Sequence, residues 1–178
     1  IALSSDGTRG TAAWYRNNGS IYIVQTSSVT ISGNVASWSS AMDLSEDGRM
    51  SFEPQVGLSS DGTLATIVWR GHNDTNSVIQ ARSASISGNT ATWGTFSTLS
   101  TDSETSQAPQ LSLSSDGTKA AAVWALFDGP NTVIQSSTAS IAGNTASWNE
   151  AVDISQGGGY AYVPQIRISS EGTRAVAV

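Results

Sequence analysis

Few side chains in this sequence are equipped for chemistry. His72 is the only histidine and cysteine is absent, which excludes thiolate metal sites, cysteine nucleophiles, disulfides and multi-histidine metal centres. Asp6, Asp61 and Asp116 stand 55 residues apart, each within Ser-Ser-Asp-Gly-Thr. They could form a ring of carboxylates, but an Asp before Gly also hydrogen-bonds the backbone of its own turn, which accounts for all three. A Ser-His-Asp triad would need His72 beside a serine and a carboxylate. His72 lies in Gly71–Asn76 (GHNDTN), which reads as an exposed polar loop, and with 31 serines in the chain proximity to one carries little weight. Glycoside hydrolysis would need two carboxylates facing each other across a groove. Glu46, Asp47, Glu53, Asp102 and Glu104 are the available ones, and their spacing does not pair them. Asp74 with Asn73 and Asn76, or Asp128 with Asn131, could offer oxygens to calcium. Neither resembles an EF-hand loop or supplies the six to eight oxygens calcium takes. Asp43 and Asp153 read as solvated edge residues that discourage edge pairing. Asn18-Gly19-Ser20 and Asn73-Asp74-Thr75 match the N-glycosylation sequon. The expectation is a protein with no catalytic residues, no metal and no cofactor.

Composition narrows the class. The chain has 178 residues, 38% hydrophobic and only 12% charged. One domain of that size buries roughly 70% of the surface its unfolded chain exposes. The polar remainder is mostly uncharged, with 31 Ser, 18 Thr and 17 Gly, and Lys119 is the single lysine. A net charge of −6 argues against nucleic acid as a partner, since phosphate binding needs a basic footprint. No apolar run approaches the roughly 20 residues of a membrane-spanning helix, so no membrane insertion is expected.

The elements that must position any site come from an internal repeat. Ser-Ser-Asp-Gly-Thr occurs at residues 4–8, 59–63 and 114–118, with a Glu171 variant at 169–173. Trp14, Trp69 and Trp124 keep the same 55-residue spacing, as do Trp38, Trp93 and Trp148, so all six tryptophans are repeat landmarks. Pro54, Pro109 and Pro164, each followed by Gln, and Gln25, Gln80 and Gln135 also align without a gap. The units are 1–55, 56–110, 111–165 and a partial 166–178. Each reads as four short strands. In the second unit they are residues 55–60, 64–69, 78–86 and 90–99, with hairpins at Asp61-Gly62 (a type I′ turn) and Gly88-Asn89. No sustained 3.6-residue period predicts helix. Four antiparallel strands per repeat predict an all-β propeller, about three blades plus two strands of the next, because radial stacking covers both faces of every blade. The tryptophans are expected as plates between blades, with Trp38, Trp93 and Trp148 partly exposed on the outer strand.

The pattern Pro-Gln-x-x-(Leu/Ile)-Ser-Ser-Asp-Gly-Thr-x-Ala-x-x-Val-Trp, seen from Pro109 to Trp124 and from Pro164 to Val178, resembles β-propeller repeats of secreted bacterial proteins. It is similar in strand order to NHL and TolB-type blades. The resemblance covers the whole chain and implies a propeller fold and an extracellular or cell-surface location. It implies no single function, since propellers host many. The sialidase Asp-box, Ser-x-Asp-x-Gly-x-Thr-Trp, is not met. A closed ring typically needs about four to eight blades, so three units and a part predict either a piece of a longer chain closed by further blades or closure by self-association.

The strand order places near-identical turns on one face and variable segments on the other. The variable segments include Tyr15-Arg16-Asn17-Asn18, Arg70-Gly71-His72-Asn73, Ala125-Leu126-Phe127-Asp128, and residues 46–53, 101–108 and 156–163. All four tyrosines, Tyr15, Tyr22, Tyr160 and Tyr162, fall in or beside them, as do Phe52, Phe127 and His72. Aromatic rings with a polar tip suit sugar stacking and protein contacts, and loops on a rigid scaffold carry function. The expected ligand-binding residues are Tyr15, Arg16, His72, Phe127, Tyr160 and Tyr162. The expected function is non-catalytic binding of a glycan or protein surface. The alternatives are a structural or assembly component (sheath, filament or surface layer) or the propeller part of a secreted glycoside hydrolase.

Overall fold

The computed structural model describes residues 1–178 except 46, 47, 157 and 158. The described residues form seventeen β-strands and no helix. The first repeat supplies β1 (Ala2–Leu3), β2 (Arg9–Asn17), β3 (Tyr22–Ser32), β4 (Val35–Trp38) and β5 (Met42–Asp43). The second supplies β6 (Phe52–Leu58), β7 (Leu64–His72), β8 (Ser77–Ser87), β9 (Thr90–Trp93) and β10 (Ser97–Thr98). The third supplies β11 (Thr105–Leu113), β12 (Lys119–Asp128), β13 (Asn131–Ala142), β14 (Thr145–Trp148) and β15 (Val152–Asp153), and the partial unit adds β16 (Ile166–Ile168) and β17 (Ala175–Ala177). Each full repeat is one antiparallel sheet in chain order, and β16–β17 form a two-stranded fourth.

The outermost strand departs from the expected single run over 90–99. It is split: β9 and β10 both pair with β8, as β4 and β5 pair with β3, and β14 and β15 with β13. Asp43 and Asp153 sit on the second piece. They are exposed, yet each accepts a hydrogen bond from an amide of the third strand: Gln25 Nε2 to Asp43 and Gln135 Nε2 to Asp153 at 2.9 Å. These carboxylates pin the outer strand to its sheet; guarding an edge is not their whole role.

The sheets pack face to face, and the sequence of the second strands shows why. In β7, Ile67 and Trp69 face the first sheet, where they meet Val24 and Leu44. Val68 faces the third sheet and meets Ala122, Trp124 and Leu126. The next strand repeats the arrangement, with Ala121, Val123 and Ala125 turned toward Ile166. A strand covered on both faces reads as a continuous apolar run, which is what LATIVW and AAAVWAL are. Trp69 and Trp124 are fully buried, and their indole Nε1 atoms donate to Gln80 Oε1 at 2.9 Å and Gln135 Oε1 at 3.1 Å. Trp14, on the outer face of the first sheet, is only half-buried.

The Asp-Gly corner differs from a type I′ turn, which needs positive φ at both central residues. Only the glycines have positive φ (Gly7 70°, Gly62 71°, Gly117 74°). The turn is closed one step earlier, by Gly7 N–H to the Ser4 carbonyl at 3.0 Å. Asp6 then accepts from Ser4 Oγ at 2.7 Å and from the Thr8 amide at 2.9 Å. Successive corners are stitched together: Ser5 N–H donates to Ser60 O, Ser60 N–H to Ser115 O and Ser115 N–H to Ser170 O, at 2.7–2.9 Å. Hydrogen bonds from the Ser4 and Ser114 hydroxyls, then from the Thr8 and Thr118 amides, lower the carboxyls of Asp6 and Asp116 from 3.8 to about 2. A folded value below the unfolded one means that these corners add stability above pH 3.8 and lose it as pH falls toward 2. Urea midpoints measured across that window should fall with acid, and the double variant Asp6→Asn/Asp116→Asn should reduce the fall.

A third feature recurs at 55-residue spacing. Glu53, Ala108 and Val163 have φ of 55°, 53° and 55°, each just before the repeat proline. The residue before proline normally prefers extended backbone. Here register jumps from Phe52↔Arg70 to Gln55↔Val68, and from Gln107↔Ala125 to Gln110↔Val123, so Glu53-Pro54 and Ala108-Pro109 bulge opposite Trp69 and Trp124. The bulge hosts a proline that cannot donate to the ladder, at the cost of a left-handed non-glycine residue. Ala108→Gly should therefore raise stability by about 0.5–1 kcal/mol, read as a higher urea midpoint.

Candidate functional site

The structure gathers the aromatic side chains of the variable end into two clusters. The first joins β2, β3 and β6. Tyr15 and Tyr22 meet edge-on at 5.9 Å between ring centroids, and Phe52 lies 5.7 Å from Tyr15 and 5.2 Å from Tyr22. The Arg70 guanidinium stands 5.2 Å over the Phe52 ring and pairs with Glu53 at 3.3 Å. Cation–π contact and ion pair together fix the Arg70 head group. The other oxygen of Glu53 accepts the Ala108 amide at 3.1 Å, which ties the cluster to the third sheet. Tyr15 stays half exposed, at 50%.

The second cluster joins β12 to the segment before β16. Phe127 and Tyr162 lie 6.3 Å apart, and Tyr162 stacks on Tyr160 at 6.1 Å with rings 6° from parallel. Tyr160 is 74% exposed. Its backbone bridges to Thr132, which anchors the segment to the third sheet. Phe52 and Tyr162 occupy the same repeat position two units apart, so the clusters are related by the repeat. That register relation is the signal that would have added Phe52, and with it Arg70, to the expected residues.

Two expected residues take other places. His72 does not lie in an exposed loop. It ends β7, pairs with Ser77 and is half-buried, because the β7–β8 ladder runs three residues past Trp69. Its ring makes no hydrogen bond among the described residues, and no ring contact joins it to either cluster. Phe127 likewise belongs to a strand, β12, and is half-buried. Arg16 is exposed near the end of β2 and contributes to neither cluster. Tyr15, Phe127, Tyr160 and Tyr162 are therefore brought together in two groups, while Arg16 and His72 stand apart.

The polar loops between the clusters hold the sheets in place. Asn73 Nδ2 and Asn76 Nδ2 both donate to the Asp102 carbonyl at 3.0 Å. Asp74 pairs with Arg49 of the preceding unit at 3.0 Å. Arg49 thus engages Asp74 Oδ2, one of the oxygens considered above for calcium, and among the described residues no group of three or more His, Asp and Glu could hold a metal. Both sequon asparagines cap their own turns: Asn18 Oδ1 accepts the Ser20 amide at 3.0 Å, and Asn73 Oδ1 the Asn76 amide at 2.8 Å. Of the carboxylates weighed for hydrolysis, Glu53 is held by Arg70, while Glu46 and Asp47 lie outside the described residues; the side chain of Asp128, weighed for calcium, also lies outside them. Comparison with known proteins found no matching family model, no matching curated protein and no matching solved structure.

Proposed function

We propose that the chain is a segment of a β-propeller, about three blades and two strands of the next, and that it serves as a non-catalytic binding module of a secreted or cell-surface protein. Face-to-face sheets in chain order, joined corner to corner by the Ser5, Ser60, Ser115 and Ser170 bonds, support the propeller reading. The binding reading is carried by one observation: exposed Tyr15 and Tyr160 each stand on a cluster of packed aromatics at the variable end. Tyrosine and arginine are among the residues enriched in binding hot spots. The ligand is a protein surface or a glycan. Wild type and the triple variant Tyr15→Ala/Tyr160→Ala/Tyr162→Ala are to be compared on a glycan array and on bacterial cell surfaces. Loss of capture at an unchanged melting temperature is expected; equal capture by both overturns the reading.

A second reading, assembly, is favoured by the first sheet, which exposes Leu3, Val35 and Trp38. It predicts reversible self-association in sedimentation velocity across a dilution series, abolished by Leu3→Asp. A monomer at all concentrations sinks it.

A further inference from the structure

Equivalent positions in the three repeats differ at one place that the loop-end reading does not use. Where the outer strand breaks, the first repeat has Trp38-Ser39-Ser40, the second Trp93-Gly94-Thr95 and the third Trp148-Asn149-Glu150. In the third, a groove of about 520 Å³ runs between this break and residues 97–101 of the second sheet. That volume is within the roughly 300–1,000 Å³ of small-ligand sites. A smaller groove of about 220 Å³ lies between the first and second sheets, where Met42 and Trp93 both line it. Met42, which lines the smaller groove, is replaced at its repeat position by Ser97.

One wall of the larger groove is the half-buried indole of Trp148, which packs on the core shared by the second and third sheets. The floor includes the Gln135 amide, fixed by Trp124 and Asp153. Asn149 is held by its Nδ2 bond to Thr138 Oγ1 at 2.8 Å. The exposed residue Glu150 also lines the groove, and the opposite wall includes Ser97 and Thr101. No Lys or Arg lines the groove, and the chain carries a net charge of −6, so anions are disfavoured. An apolar ligand would strip water from several hydroxyls without replacing their hydrogen bonds. A ligand that satisfies every wall has an apolar face for the indole and a ring of hydroxyls for the carboxylate and Ser/Thr side chains.

The geometry points to a neutral saccharide ring seated in this groove, with its C–H face on Trp148 and its hydroxyls on Glu150. The groove is separate from the loop-end aromatics, so either site can fail without the other.

The test follows the six tryptophan indole N–H signals by NMR in the full chain, with Trp148→Phe identifying the relevant one. The probes are methyl α-glucoside, methyl β-galactoside, methyl α-mannoside and N-acetylglucosamine, with sorbitol as an acyclic polyol. At least one cyclic sugar should shift the Trp148 signal saturably, and sorbitol should not. Glu150→Ala should weaken the apparent affinity about tenfold. Ser97→Met should abolish the shift at an unchanged melting temperature, because the first repeat already folds with Met42 at that position. The proposal is overturned if no cyclic sugar shifts the signal saturably, if sorbitol shifts it equally, or if the shift survives Ser97→Met.

Discussion

Replacing Trp124 with alanine should cost about 3–5 kcal/mol, enough to unfold much of a marginally stable domain. The indole has no exposed surface and fills the space between the second and third sheets against Val68, Ile79 and Val133. Its removal also strips Gln135 Oε1 of the Nε1 donor, leaving a buried acceptor unpaired. The same substitution at Trp38, 47% exposed on its outer strand, should change stability by no more than about 0.5–1 kcal/mol. Phenylalanine separates packing from hydrogen bonding. Trp124→Phe should lose about 1 kcal/mol beyond the small volume change, whereas Trp93→Phe removes a buried Nε1 that has no partner among the described residues and should be close to neutral. Urea unfolding with an unchanged slope reads all four. Equal losses at Trp124 and Trp38 would contradict the stacking of the sheets.

Gly94→Ala is expected to be the most damaging small substitution, at about 1–3 kcal/mol or more. A Cβ at this position would lie 2.0 Å from the carbonyl oxygen of Asn144, in the hairpin turn of the third sheet. Neither side can yield easily. Gly94 N–H is bonded to Ser83 O at 2.9 Å, its carbonyl accepts from Arg82 Nε, and Arg82 also reaches Leu44 O of the first sheet at 3.0 Å. Three sheets therefore meet around one missing methyl group. Gly159→Ala, where nothing lies within 4 Å and φ is not positive, is the control and should stay within about 0.5 kcal/mol. Parity between the two variants would mean that the junction is looser than described.

What was legible in the sequence is what local chemistry dictates. The hairpins at Gly33, Gly88 and Gly143 follow from a glycine that alone takes positive φ there, and strand pairs such as Ser87↔Thr90 close on them as expected. The buried indoles followed from Trp within an apolar run. The features that were not legible depend on partners distant in sequence. His72 looks like a loop residue because its neighbours are Gly, Asn and Asp; only the ladder to Ser77 makes it a strand residue. The left-handed backbone at Ala108 runs against the local preference before proline and is imposed by the bulge opposite Trp124. The outer strand reads as one run, yet it breaks in every repeat. The Trp148 groove arises only when two sheets meet, although the Met42-to-Ser97 replacement was visible in the aligned repeats. Of the candidate site, the tyrosines were legible from their variable context, but their division into two clusters depends on Phe52 and on the packing of neighbouring sheets.

The bonds from Ser5 through Ser170 have a further consequence for how the chain comes apart. Each corner gives one amide proton to the corner of the next unit, so these bonds couple neighbouring units. Such an array behaves as a one-dimensional chain of coupled units, in which order propagates from an interior nucleus and is lost first at the ends. Amide exchange should accordingly be slowest at Ser115 and Ser60, whose units are flanked on both sides. Protection should decline outward, giving a graded profile in place of a single global opening event.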